Sequence, residues 1–251
     1  MEKLIYALLS VKNKSDKLDS LLTEIKGISA GDLSVVSFEE IVAVTGEIHK
    51  ASLVANNENA IEYAGVIEAL AQQFTLLPVR FGSSMAADDS IRQMIERNYS
   101  DIQQNLQKVE NKYEFGLKIF CDSEKMMAEL QAKSVAETKT PGVPDPFIKN
   151  SVSRDWVNRK LKEHRLEELF LSYVDSVISE ITEHLVQFNA VSKFKKMASP
   201  ANIIDAVFLL GKDKKEALIH TISELQRKHA GLTFVLTGPW PPYSFVDFTV
   251  K

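Results

Sequence analysis

Residues able to do chemistry are thinly scattered along this chain. Its five histidines, His49, His164, His184, His220 and His229, include no HExxH pair, and the single cysteine, Cys121, cannot build a thiolate metal cluster. The histidines read as ordinary surface or partly buried side chains, so no metal or cofactor is expected. Gly211-Lys212-Asp213 follows a strand pattern and precedes a helix pattern, which is where a phosphate-binding loop would lie. The upstream glycine is missing and Asp213 replaces the hydroxyl residue, so the segment reads as a turn. Cys121 ends an alternating strand beside Asp122, and a neighbouring negative charge raises a thiol pKa, which disfavours a nucleophilic thiolate. Glu114 and Lys118 share a face of that strand and read as a solvated or salt-bridged surface pair. No acid, base and nucleophile converge, so no catalytic residue is expected and the chain does not read as an enzyme.

Two segments far apart in sequence fit neither ordinary core nor ordinary loop. In Leu76-Leu77-Pro78-Val79-Arg80-Phe81-Gly82, a proline and an arginine interrupt an apolar run that otherwise reads as a buried strand. Arg80 has two readings there. It can point to the sheet face opposite Val79 and Phe81 and pair with a carboxylate such as Glu62, Glu68 or Glu114, or it can contact a partner directly. The second segment, Thr237-Gly238-Pro239-Trp240-Pro241-Pro242-Tyr243-Ser244-Phe245-Val246, packs three prolines around a tryptophan. Prolines fix φ and remove backbone donors, so the chain is stiff where it presents Trp240 and Tyr243. Stiff aromatics can lock the segment onto the protein's own helices or expose an apolar surface to another protein. Phe245, Val246 and Phe248 alternate as in a short edge strand.

The elements that must position these segments follow from periodicity. Leu4 to Val11 reads as a buried strand, Asn13 to Asp16 as a turn, and Leu33 to Phe38 and Ile41 to Glu47 as Val- and Ile-rich strands. Ile61, Ala64, Ile67, Leu70, Ala71 and Phe74 recur at helical spacing from Asn59 to Phe74, and this helix feeds the strand Leu76 to Phe81. Asp88-Asp89 starts a second helix that runs to about Glu110, acidic residues being favoured at a helix N-terminus. Tyr113, Phe115, Leu117 and Ile119 then alternate on one face of a strand. Strand, helix, strand, helix, strand around one sheet layer suggests a ferredoxin-like α+β domain over residues 1–122.

Residues 123–251 form the expected second domain. Ser123 to about Ala136 reads as a helix, and Thr138 to Pro146 as a proline-rich loop or hairpin between helices. A long helix from near Ser153 carries the stripe Leu166, Phe170, Tyr173, Val177, Ile181, Leu185 and Phe188, narrow enough for coiled-coil-like packing against the Ser123 helix. A terminal βαβ segment follows, with strands Ile203 to Leu210 and Leu232 to Leu236 around a helix bearing Ala217, Leu218, Ile222 and Leu225. A right-handed crossover makes those two strands parallel neighbours if they share a sheet.

Composition narrows the function classes. The 251 residues are 45% hydrophobic and 25% charged, as in a globular protein with a packed core. Thirty Lys and Arg against 34 Asp and Glu leave a formal charge of -4, so no basic field exists to hold nucleic acid. One cysteine forms no internal disulfide, which suits a reducing cytoplasmic compartment. The N-terminal apolar run Leu4 to Leu9 is too short for a signal peptide, and no stretch approaches the roughly 20 apolar residues of a spanning helix.

The two unusual segments resemble the gas vesicle accessory proteins of the F/L type, whose pattern holds an LPVRFG segment after a helix and a TGPWPPYSFV segment near the C-terminus. Tyr113-Glu114-Phe115-Gly116-Leu117-Lys118 and Val66-Ile67-Glu68-Ala69-Leu70 also match that pattern in order. Many members carry a histidine a few residues before Val66, where this chain has Tyr63, so no role of that histidine carries over. The resemblance implies a ferredoxin-like N-terminal domain, a largely helical C-terminal domain, and a minor non-catalytic protein of the gas vesicle and cytoplasm. Its implied partners are the hydrophobic shell protein and other accessory proteins. Pro78, Arg80, Phe81 and Gly82 with Pro239, Trp240, Pro241, Pro242 and Tyr243 are the candidate partner-binding or structural residues. The alternative is a ferredoxin-like ligand-binding regulatory module, or a scaffold for other accessory proteins.

Overall fold

The computed structural model describes residues 1–11, 16–122, 125, 126, 128, 151–196 and 202–246, with the backbone alone at Lys50, 151–158, 161, 162 and Lys196. The turn expected at Asn13, most of the Ser123 helix with its coiled-coil packing, the loop at 138–146 and Phe248 lie outside the described residues, and residues 125, 126 and 128 are helical. Helices and sheets are mixed throughout. The chain parts into two compact units, one of Met1–Phe115, Leu209–Lys212 and Gly238–Lys251, the other of Gly116–Phe208 and Asp213–Thr237.

The first unit is built on β1 (Glu2–Ser10), whose residues Leu4 to Leu9 are all buried. An unbroken apolar run is what a central strand covered on both faces requires. The hairpin of β2 (Leu33–Phe38) and β3 (Ile41–Ile48) lies on one side of it, and β4 (Leu76–Pro78) on the other, in the order β2-β3-β1-β4. A two-residue strand, β5 (Ser84–Met85), also pairs with β1. All these pairings are antiparallel. Helix α1 (Asp16–Glu24) buries Leu18 and Leu21 in one core cluster with Leu4, Tyr6 and Leu9 of β1. Nothing in the sequence reading anticipated α1, because three leucines in nine residues set up only one short repeat.

Helix α2 (Asn57–Gln73) starts two residues before the expected Asn59 because Asn56 caps it, its side chain accepting the Asn59 N–H at 2.8 Å. The helix expected from Asp88 to Glu110 is two helices, α3 (Asp88–Arg97) and α4 (Tyr99–Val109), broken at Asn98. The Asn98 side chain donates to the Met94 carbonyl at 2.7 Å, a local bond that gives the backbone an alternative to continuing the helix. The strand expected over Leu76 to Phe81 stops at Pro78.

β6 (Lys112–Cys121) is the fifth strand of the expected single layer, yet it belongs to a different sheet. That sheet runs β7-β8-β6-β9, with β7 (Val191–Lys196), β8 (Asn202–Gly211) and β9 (Leu232–Trp240). β8 and β9 therefore share a sheet but are not neighbours, since β6 lies between them. β9 also runs four residues beyond the expected Leu236. It is an edge strand, which tolerates Pro239 because a missing donor there breaks no ladder.

In the second unit, α5 (Ser151–Val186) buries Leu166, Val174, Val177, Ile181 and Leu185. Helix α6 (Lys215–Lys228) packs beside it. The two are joined at the end of α6, where Lys228 Nζ lies 2.7 Å from Glu180 Oε1 and His229 Nε2 lies 3.1 Å from Glu180 Oε2. Tyr173 Oη completes this chain 3.3 Å from His229 Nδ1. β7 escaped the sequence reading because three lysines leave it only Val191 and Phe194 as apolar markers; Phe194 packs edge-on against Phe208 of β8 at 5.8 Å.

Candidate functional site

The LPVRFG segment leaves β1 between its two short partners. Val79 N–H still donates to the Tyr6 carbonyl at 3.0 Å, and Ser83 O accepts from Ile5 N–H at 2.9 Å, so the chain departs and returns along one strand. Between these bonds Arg80 to Ser83 form a turn closed by Ser83 N–H to Arg80 O at 3.1 Å. Gly82, with φ +89°, takes the third position, where a type II turn needs a positive φ. The turn pushes Arg80 out: it is exposed, which corrects the reading of a buried ion-paired arginine. Of the three carboxylates suggested for it, Glu62 accepts from Ser29 N–H and Glu114 from Ser244, while Glu68 is exposed.

Tyr63 fills the gap the turn leaves. Its hydroxyl lies 2.8 Å from both the Ile5 and Val79 carbonyls, donating to them in turn. The ring is stacked on Tyr6 at 4.9 Å and meets Phe81 edge-on at 5.2 Å. Burial, with smaller contributions from Tyr243 and Tyr6, drives the Tyr63 phenol far above its ordinary value, so it is a fixed donor and not an acid.

The C-terminal segment reaches the same place by a different device. Glu114, buried near the start of β6, accepts the Ser244 N–H at 2.7 Å and the Ser244 hydroxyl at 2.6 Å. Its expected role as a surface partner of exposed Lys118 is therefore corrected. This carboxylate holds residues 243–245 as a 3-10 turn, so Phe245, the first residue of the edge strand expected at Phe245, Val246 and Phe248, belongs to that turn. Gly238 (φ +111°) passes so close to β6 that an added Cβ would meet the Glu114 carbonyl oxygen at 2.9 Å. Pro241, Pro242 and Phe245 are buried, while Trp240 and Tyr243 are 41% and 44% exposed, so the segment is locked down by one set of side chains and displays another. Burial, then the Glu68 and Glu114 carboxylates, push the Tyr243 phenol up to about 12.

The two motifs meet in one groove of about 710 Å³. Pro78, Val79, Arg80 and Phe81 form one wall, Tyr243 and Val246 another, and the start of α2 with Ala60 and Ala64 the third, with Tyr63 also in the lining. The structure thus brings Pro78, Arg80, Phe81 and Tyr243 together. Gly82 shapes the turn, Pro241 and Pro242 anchor the segment in a separate small cavity with Phe74 and Tyr113, and Pro239 and Trp240 end β9 outside the groove lining. Sequence reasoning missed Ala60 and Ala64 as groove residues, since an alanine on a helix carries no signal of its own. It passed over Tyr63 as a departure from a pattern, although a tyrosine among helical core positions needs a partner for its hydroxyl. Next in sequence to the lining residues Ala60 and Ala55, Ile61 and Val54 are 72% and 54% exposed. Among the described residues, no group of histidine, cysteine and acid side chains could hold a metal ion.

The family model for gas vesicle synthesis protein GvpL/GvpF matches residues 3–247. The chain belongs to this family. It is 22% identical to gas vesicle protein L of a Streptomyces species, over 87% of this chain and 85% of that protein. Crystal structures of gas vesicle protein GvpF from Anabaena and Microcystis aeruginosa share the fold, with TM-scores of 0.75 and 0.74, both at 17% identity. The alignments cover 99% of this chain and 97% of the Anabaena protein, and 98% and 99% for the Microcystis one. Membership in the GvpL/GvpF family places the two motif segments, and the groove they build, in a gas vesicle accessory protein. No helix among the described residues is long and apolar enough to cross a membrane.

Proposed function

We propose that this protein is a non-catalytic accessory factor of gas vesicle assembly that binds the hydrophobic shell protein, keeps it from aggregating or aids its nucleation, and stays on the vesicle as a minor component. The groove carries this reading. Its lining is mostly apolar and aromatic, it is continuous in sequence with the strongly exposed Ile61 and Val54, and it is assembled from the two segments that mark the family. An open apolar surface on a protein with a well-filled core is a place for a partner, and shell subunits before assembly offer large apolar faces that need covering. Tyr63 and Glu114 hold the groove walls in place before any partner arrives, which lowers the ordering cost of binding.

The test is capture from vesicle-forming cells with a tagged protein, probing both shell protein and purified vesicles. Wild type is expected to capture shell protein, and Ile61→Asp to lose it while keeping its fold, because Ile61 is exposed. Trp240→Ala, outside the groove, is expected to have a smaller effect. No capture by wild type under conditions where vesicles form would overturn the proposal.

A further inference from the structure

Among the described residues, Arg80 is the one cationic side chain in the groove lining and has no carboxylate partner. Two of the three acids suggested for it are committed elsewhere, Glu62 to the Ser29 N–H and Glu114 to the N–H and hydroxyl of Ser244, and the third, Glu68, is exposed on α2. Its position is set by the backbone, since the turn closed by Ser83 N–H and the positive φ of Gly82 fix where residue 80 leaves the sheet. Apolar contact is non-directional and cannot by itself choose one register of a partner in an apolar groove. A guanidinium at the groove wall can, because its planar fork of donors matches a carboxylate in one geometry. The chain as a whole is acidic, with a formal charge of -4, so a negative partner group would be drawn here by this local cation and not by the overall field.

We infer that the groove takes an apolar polypeptide segment bearing an aspartate or glutamate, seated with that carboxylate on Arg80 and its apolar side chains against Phe81, Tyr243 and Val246. This rests on the reading of the groove as the shell-protein site and adds what that segment must contain. The carboxylate sets register; the apolar walls supply the bulk of the contact.

The experiment measures binding of full-length protein to a solubilised shell-protein fusion across a salt series, for wild type, Arg80→Lys, Arg80→Gln, Arg80→Glu and Ala64→Trp. Arg80 is exposed, so its variants should melt as wild type does. Arg80→Gln is expected to bind about tenfold more weakly than wild type at low salt, the loss of a charge-assisted contact. Its affinity should also be nearly independent of salt, whereas that of wild type falls as salt rises. Arg80→Lys should keep part of the affinity and Arg80→Glu should lose more than Arg80→Gln. Equal binding by wild type, Arg80→Gln and Arg80→Glu at low salt, with Ala64→Trp still weakening it, would overturn the carboxylate pairing and leave the groove reading standing. Binding that Ala64→Trp does not weaken would overturn the groove reading and this inference with it.

Discussion

Glu114 and Ser244 lie 130 positions apart and make a two-point contact, one carboxylate oxygen taking the serine N–H at 2.7 Å and the other its hydroxyl at 2.6 Å. A buried carboxylate is costly unless its oxygens are satisfied, and here a single residue offers both donors. The pair decides where the C-terminal motif ends up, and through Tyr243 and Val246 it decides the shape of one groove wall.

Glu114→Gln is expected to destabilise the protein by about 1.5–3 kcal/mol, the range for hydrogen bonds to a charged group. An amide of the same size keeps the packing but presents only one acceptor. Urea unfolding gives the stability loss, and hydrogen exchange at residues 243–246 should quicken more than exchange in β1. Unchanged exchange there would mean that Pro241, Pro242 and Phe245 hold the segment without the carboxylate.

The sequence made the two motifs visible but not the means by which they meet. The strands β1, β2 and β3 and the helix α2 were legible, because β1, β3 and α2 have unbroken or periodic apolar patterns, whereas α1 and β5 were not. Sheet membership was not: β6 alternates as well for one sheet as for the other, and only long-range pairing assigns it to β8 and β9. Glu114 looked like surface because Lys118 shares its strand face, and nothing local reveals a donor 130 residues away. The buried, ion-paired reading of Arg80 fails for a related reason. An apolar run reads as strand, but a turn closed by Gly82 lets the chain leave the sheet for a few residues and return, with the arginine at its outer side.

Tyr63→Phe should cost about 1–3 kcal/mol, since it strips the donor from the Ile5 and Val79 carbonyls while leaving the ring stacked on Tyr6 and edge-on to Phe81. Thermal unfolding measures the loss. Binding of shell protein should weaken less than stability does, because the groove keeps its aromatic lining. A variant as stable as wild type would show that the two carbonyls find another donor.

Gly82 and Gly238 both have positive φ, yet alanine should be tolerated differently at the two sites. An added Cβ at Gly82 meets nothing within 4 Å, so Gly82→Ala carries only the conformational penalty, about 1 kcal/mol. At Gly238 the same methyl meets the Glu114 carbonyl oxygen at 2.9 Å and Phe115 Cδ1 at 3.1 Å. Backbone cannot swing aside as a side chain can, so Gly238→Ala should cost upwards of about 2 kcal/mol. Comparing the two urea midpoints checks the order; equal losses would show that the conformational penalty alone decides.

In the second unit the Glu180 carboxylate is held below the usual carboxylate range, first by the hydrogen bond from Lys228 and then by His229, with partial burial opposing both. A carboxyl whose pKa is lowered in the folded state binds fewer protons there than in the unfolded chain. Its contribution is therefore complete above the unfolded value, about 4.3 for a glutamate, and disappears as pH falls through the folded value. Lys228 is largely exposed and the pair is screened by solvent, so Glu180→Gln should cost only about 0.5–1 kcal/mol at pH 7. The gap between the variant and wild type should narrow as pH drops below about 4, and should also shrink in concentrated salt. A gap that stays constant from neutral pH to pH 3 would show that Glu180 joins α5 to α6 through packing of its stem and not through its charge.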